Sequence, residues 1–351
     1  MFASFKALPG WLRLWTLFPL GFLNLWLLLL LIDYLSPFVG ILGSAAIFAF
    51  LLDIPVLELQ KRGLPRGWAI ALVLSISLLV LTLVAVTLGP LLLQQLSALV
   101  SSLPQLIDSG KLQLRALREW AIAQNLPIQL SDLLNQTINQ LGSVFQIAGS
   151  KLLGILTETI TSLINVLFFI VLTIFILVGG EAAWDGIFSW LPAPWNETLQ
   201  DSIQTTFRRY FGTQAILAGI LSVAQTVGLL IWGVPYAVLF GVTLGLATLI
   251  PYGGAVATVV ISIIVALQDF GQGVRVLITA IAIGQVNDIL LSPRLMGETI
   301  GLNPIWLIAA LFLGGKVGGV LGLLVAVPIA SVIKSTADQI RQPKTPIPPN
   351  L

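Results

Sequence analysis

The chain has 351 residues, 57% of them apolar and only 9% charged, with a net charge of +2 and neither cysteine nor histidine. A soluble domain carries about 25% charged residues, so a chain this long and this poor in charge cannot cover its surface in water and reads as a multi-pass membrane protein. The missing residue types exclude disulfides, thiol catalysis, His-ligated haem, N/S zinc sites and any Ser-His-Asp triad, and the small net charge with no basic stripe excludes a nucleic-acid partner.

No G-x-S-x-G, H-E-x-x-H or G-x-x-x-x-G-K-[ST] occurs. Neither a hydrolase nor an ATP-driven pump is therefore expected, and no metal or cofactor is called for. The first apolar stretch, roughly Leu14 to Ile32, lacks a cleavage site and reads as a span. "SPF" restarts the chain with Ser36 as N-cap and Pro37 as first helical residue. A second span runs to about Asp53, where "DIP" stops it, and a third covers about Trp68 to Leu93. Lys6, Arg13 and the cations of "KRGLPR" place the N-terminus and the 61–66 turn in the cytoplasm.

Residues 94–151 form an extracytoplasmic amphipathic region. Leu134, Ile138, Leu141, Phe145, Ala148 and Leu152 make an a/d stripe, which fits either packing on its own neighbour or a contact between subunits. A fourth span, about Leu152 to Val178, leads to a cytoplasmic connection ending at Arg208 and Arg209. The Pro-rich tail, 336–351, is expected to be disordered and cytoplasmic.

The segment 209–335 carries the main pattern, a span followed by a broken hairpin, twice over (209–268 and 274–335). Tyr210 to Trp232 is long enough to span, but Pro235 to Ile250 and Gly254 to Gln268 reach only about 22–24 Å, against a hydrocarbon core of about 30 Å. They are joined by "IPYGGA". Val274 to Leu291 spans again, and Ile305 to Leu313 and Val320 to Lys334 form a second short pair joined by "GGKVGG". Two re-entrant hairpins of opposite orientation, with tips meeting near mid-membrane, would be an inverted repeat of the kind secondary transporters use. Four ordinary spans give the same sidedness. The expected fold is thus an all-α, multi-span helical bundle with two re-entrant hairpins in its C-terminal half.

Polar residues inside spans are candidates for a substrate or ion path. Asp288, beside Gln285 and Asn287, reads either as an ion- or proton-binding carboxylate or substrate contact in a wet cavity, its pKa raised if buried, or as a residue solvated at the interface or paired with Arg294. Lys316 in the second tip meets an anion if the tip is deep and water if it is not. Gln214 and Gln225 share a helix face, where they line a path or bond across helices. Gly253, Gly254, Gly314, Gly315, Gly318 and Gly319 permit close backbone approach, and Pro251 breaks the helix before it.

These residues carry a resemblance. "GVPYAVLFGVTLGLATLIPYGGAV" and "LLSPRLMGETIGLNPIWLIAALFLGGKVGGVLGLLVAVPIASVIK" resemble the tip and closing signature of the AI-2E family, the autoinducer-2 exporter-like or PerM-type permeases. "FRRYFGTQ", "DIP" and "KRGLPRG" fit as well. The resemblance implies a secondary transporter or exporter of small molecules such as autoinducer-2, a Na+(Li+)/H+ antiporter of the same family, or an oligomeric passive pore. It also implies a homo-oligomer, a pentamer, in a bacterial inner membrane. It carries over Pro251, Tyr252 and Gly254 for the first tip, Gln285, Asp288 and Pro293 for the last span, and Gly315, Gly319 and Pro328 for the closing segment. Gly253 and Lys316 depart from the family pattern and leave the tip's chemistry, and so the substrate, open.

Overall fold

The computed structural model describes residues 34–123, 159–192, 195–296 and 303–341, with most of 19–31. Among them every regular element is helical: α1 (Ser36–Lys61), α2 (Arg66–Ala123), α3 (Thr159–Phe188), α4 (Trp195–Ile231), α5 (Ala237–Ala247), α6 (Gly253–Gln268), α7 (Phe270–Val286), a π turn (Asn287–Leu291), α8 (Ser292–Met296) and α9 (Pro304–Arg341). Five of the helices are long and apolar enough to cross a membrane, or six with α3, which bends by 71° between Ile164–Gly180 and Ala182–Phe188. Their outer faces carry bulky apolar side chains such as Leu79, Phe175 and Phe312, each at least 70% exposed. Water would not tolerate so large an apolar surface, whereas lipid covers it. The chain is an integral, multi-pass membrane protein.

Helix ends follow from local chemistry. α1 and α4 both stop in a Schellman motif. Gly63 (φ 95°) and Gly233 (φ 63°) take the left-handed position, while Leu64 N donates to Leu59 O and Val234 N to Leu229 O. Asp269 both ends α6 and caps α7, its Oδ1 accepting from Gln272 N at 3.0 Å. Asn303 opens α9 by accepting from Ile305 N at 3.0 Å, with Pro304 as the first helical residue.

Four local expectations are corrected. Ser36 is the first residue of α1 and not its cap, which is Leu35 without a side-chain bond. The bonds Leu35 N to Leu31 O and Val39 N to Leu35 O keep the helical pattern there. "DIP" does not end α1, because Leu52 and Val56 on either side of it are held in a core with α2 and α3. The polar connection before Arg208 is largely helical, since α4 begins at Trp195. The tail is helical to Arg341, the last described residue, with Ala337 and Ile340 continuing the apolar pattern. The a/d stripe of 134–152 lies outside the described residues.

The helices pack around three apolar clusters, one of them formed by Tyr210 and Phe211 of α4, Val327 of α9 and Ile47 and Leu51 of α1. α1, α2 and α3 share a core around Val56, Ala69 and Leu177. α4 to α7 share another around Leu229, Phe240, Leu244, Ile261 and Val276, to which Leu106 of α2 belongs. Asp53 of α1 ties these groups of helices together: its Oδ2 lies 2.6 Å from Arg208 of α4, and its Oδ1 4.0 Å from Arg66 of α2. All three side chains are half-buried, so the group is less screened than surface pairs.

Helix α2 runs without a break across residue 93. Its 58 residues extend about 87 Å, far more than a bilayer needs. The surplus supports the first hairpin, α5–α6. Gln95 Oε1 accepts from Leu239 N at 2.8 Å, satisfying an orphan donor at the start of α5. Gln113 Nε2 donates to the carbonyls of Leu267 and Gln268 at 3.2 Å, at the end of α6.

Candidate functional site

Glycine decides how the first hairpin sits. A Cβ at Gly241 would fall on the backbone of Thr226, and one at Gly245 on that of Ser222. α5 therefore lies backbone to backbone against α4, the small-residue packing typical of membrane helices. α7 then folds back along α6 from Asp269, with Gly273 against Ala266. Gln225 of α4 reaches across to Ala280 O of α7 (3.3 Å), and Trp232 Nε1 donates to Thr279 at 3.0 Å.

The chain between α5 and α6 is a strained tip. Tyr252 caps α6 at φ 63°, a left-handed conformation that costs a bulky residue roughly 1–2 kcal/mol. Such strain gathers at functional sites. Tyr252 is 57% exposed, so burial of its ring does not compensate for the strain. It borders a cavity of about 600 Å³ enclosed by α4, the tip, α6, α7 and Leu307 and Val327 of α9. A volume of this size suits a small organic solute.

This cavity gathers eight of the residues that the sequence points to: Gln214 and Gln225 from α4, Pro251, Tyr252 and Gly254 from the tip, and Gln285, Asn287 and Asp288 from the end of α7. Gln214 and Gln225 are buried, as is Asn287. The π turn brings Asn287 and Asp288 onto the wall together. One extra residue per turn shifts the helix face, a device common at functional sites. Asn287 Nδ2 donates to Asp288 Oδ1 at 2.9 Å. Asp288 is exposed and borders the cavity. Its partner is Asn287 and not Arg294, which is exposed on α8.

The other expected site residues lie elsewhere. Gly253 does not border the cavity, and a Cβ there would meet Ala247 O, so it is a packing glycine. Pro293 is exposed on α8. Gly315, Lys316, Gly318 and Gly319 border a second, larger cavity of about 1340 Å³, formed by both arms of α9 and by Val39, Gly40, Gly43 and Ile47 of α1. Gly319 (φ 56°, ψ −133°) breaks α9 into arms 304–318 and 320–341. Gly314 lies against the Gly322 carbonyl and Gly322 against that of Gly314, so the arms fold back on one another. The two tips therefore do not share a cavity. What α9 contributes to the first one is the side of its arms and not its tip.

Tyr210, Thr248, Thr258 and Ser292 complete the polar lining and are not singled out by the sequence. Tyr210 stands one turn before Gln214 and hydrogen-bonds it (3.5 Å), and Thr258 stands one turn after Gly254. Helical spacing from the recognised residues is the signal that would find them.

Comparison with known proteins gives the family. The profile described as AI-2E family transporter matches residues 17–342. "Putative transport protein sll0063" of Synechocystis sp. is 36% identical over 94% of this chain and 85% of its own length. "Putative transport protein sll0060" of the same organism is 35% identical over 93% and 96%. "Putative permease PerM" of Escherichia coli K12 is 26% identical over 87% and 88%. Family match and relatives together cover the spans, the tip and the cavity wall: the chain belongs to the AI-2E family of transporters.

Proposed function

We propose that this chain is a secondary transporter that moves a small polar solute, autoinducer-2-like or another polar metabolite, by alternating access. Its path runs through the 600 Å³ cavity. The carrying observation is that cavity itself, in which buried amides, a strained tip and a carboxylate on a π turn converge. The tip acts as a gate and Asp288 as the ion-coupling group. α5 and α6, of 11 and 16 residues, reach only about 16 and 24 Å. This supports a hairpin that enters and leaves the membrane from one side, with the arms of α9 as its inverted counterpart. The protein works in a bacterial inner membrane, with both termini cytoplasmic, as a homo-oligomer of five copies.

A second reading, Na+(Li+)/H+ exchange, draws on one feature: Asp288 is the sole carboxylate among the described residues of the cavity wall. Proteoliposomes with imposed Na+ or H+ gradients test both. Solute uptake driven by a gradient and reduced at least about tenfold by Asp288→Asn supports the first reading. Ion exchange without solute supports the second. Flux that needs no gradient and survives Asp288→Asn would mean a passive pore.

A further inference from the structure

The transport reading leaves the solute's chemistry open, and the polar atoms of the same cavity narrow it. We infer that the cavity takes solutes bearing a protonated amine and turns away carboxylates and phosphates, an inference that rests on the transport reading above.

Charge comes first. Among its described lining residues the cavity has one carboxylate, Asp288, and no lysine or arginine. An anion entering it would lose water, gain no counter-charge and meet a carboxylate.

Hydrogen-bonding capacity comes second. A side-chain amide has a donor end and an acceptor end. Gln225 points its Nε2 at Ala280 O, a peptide carbonyl that can only accept, so the amide cannot be turned around. Asn287 points its Nδ2 at the Asp288 carboxylate, and its orientation is fixed for the same reason. Both amide oxygens are thereby left as acceptors, and both are buried with no donor. The residues are 5% and 9% exposed and border the cavity. Buried polar atoms are nearly always paired; both oxygens are covered in this conformation, so a solute's donor reaches them as the wall opens during the transport cycle.

Spacing and wall chemistry come third. Gln225 meets α7 at Ala280, and Asn287 lies seven residues further on, about 10 Å along the helix. One bare metal ion cannot meet both stations, whereas an organic amine with a second donor can. A neutral polyol could satisfy the two oxygens, but the Asp288 carboxylate favours the cation.

The test uses the full-length protein in proteoliposomes with outward H+ or Na+ gradients. The labelled probes are putrescine and ethanolamine against glycerol and lactate, with binding to the detergent-purified protein measured in parallel. Uptake of the amines is expected to exceed that of glycerol and lactate at least tenfold. Gln225→Met, of similar shape, removes the acceptor and with it the bond to Ala280 O, and should lower amine uptake about tenfold, the loss of one hydrogen bond to a charged group. Asp288→Lys, at an exposed position that tolerates a new side chain, removes the coupling carboxylate and is therefore read by binding alone: the detergent-purified variant should prefer lactate to putrescine. Elution of each variant as the wild-type oligomer excludes misfolding. Lactate or glycerol transported as well as the amines overturns this inference and leaves the transporter standing. No probe bound or moved under either gradient overturns the transport reading and this inference with it.

Discussion

The two helical hairpins of the C-terminal half are built in opposite ways. The α5–α6 hairpin is held from outside: α4 grips α5 through Gly241 and Gly245, and Gln95 and Gln113 of α2 hold its open end. Its arms also meet in the core that they share with α4 and α7, and a cavity with polar side chains in its wall opens beside its tip. The α9 hairpin holds itself together, with Gly314 and Gly322 in backbone contact across the turn at Gly319. Both arms, Gly314 and Gly322 included, border its cavity together with α1. The first hairpin thus depends on glycine contacts with α4, and the second on glycine contacts between its own arms.

Four substitutions probe that contrast, beginning with the strongest. Gly245→Val places a side chain on the Ser222 backbone, which neither helix can move without leaving the other. A loss above about 3 kcal/mol is expected, seen as aggregation in detergent size-exclusion chromatography. A well-folded Gly245→Val protein would mean that the outside grip is not what holds the first hairpin. Gln95→Leu leaves the start of α5 uncapped and should cost about 1 kcal/mol, read as a lower thermal midpoint in detergent. An unchanged midpoint would remove α2 as a brace.

Tyr252→Gly separates strain from stability. Relief of roughly 1–2 kcal/mol of left-handed strain is largely offset by the greater freedom of glycine in the unfolded chain, about 1 kcal/mol. The thermal midpoint should therefore stay nearly constant while uptake falls several-fold. Unchanged uptake would show the tip to be a passive turn. The smallest effect is expected of Lys316→Met, which lies in the α9 cavity and not in the proposed path. Uptake should change less than about twofold, and a large loss would move the path to the second cavity.

The membrane class, the spans and the positions of both hairpins are legible along the chain because each depends on local composition and length. Gln214, Gln225 and the Gln285–Asp288 run are legible for a related reason: polar residues inside apolar helices stand out. Tyr210 and Thr258 are harder to pick out, since a tyrosine or threonine in such a helix is ordinary. The reach of α2 past Leu93 is invisible for a similar reason, as nothing in its sequence stops the helix.

By itself, then, the sequence determined which segments enter lipid, where glycine and proline break them, and which polar side chains must find shelter. Only the tertiary structure decided that the two tips border different cavities, that Asp288 pairs with Asn287 on a cavity wall, and that Gly253 packs while Gly254 borders that cavity. It also decided that a π turn presents Asn287 and Asp288 on one wall. The physical reason is the range of the forces involved. Hydrophobicity and backbone propensity act over a few residues and can be read locally. Which glycine meets which backbone, and which amide oxygen is left without a donor, depends on residues such as Gln225 and Ala280 that lie 55 positions apart along the chain.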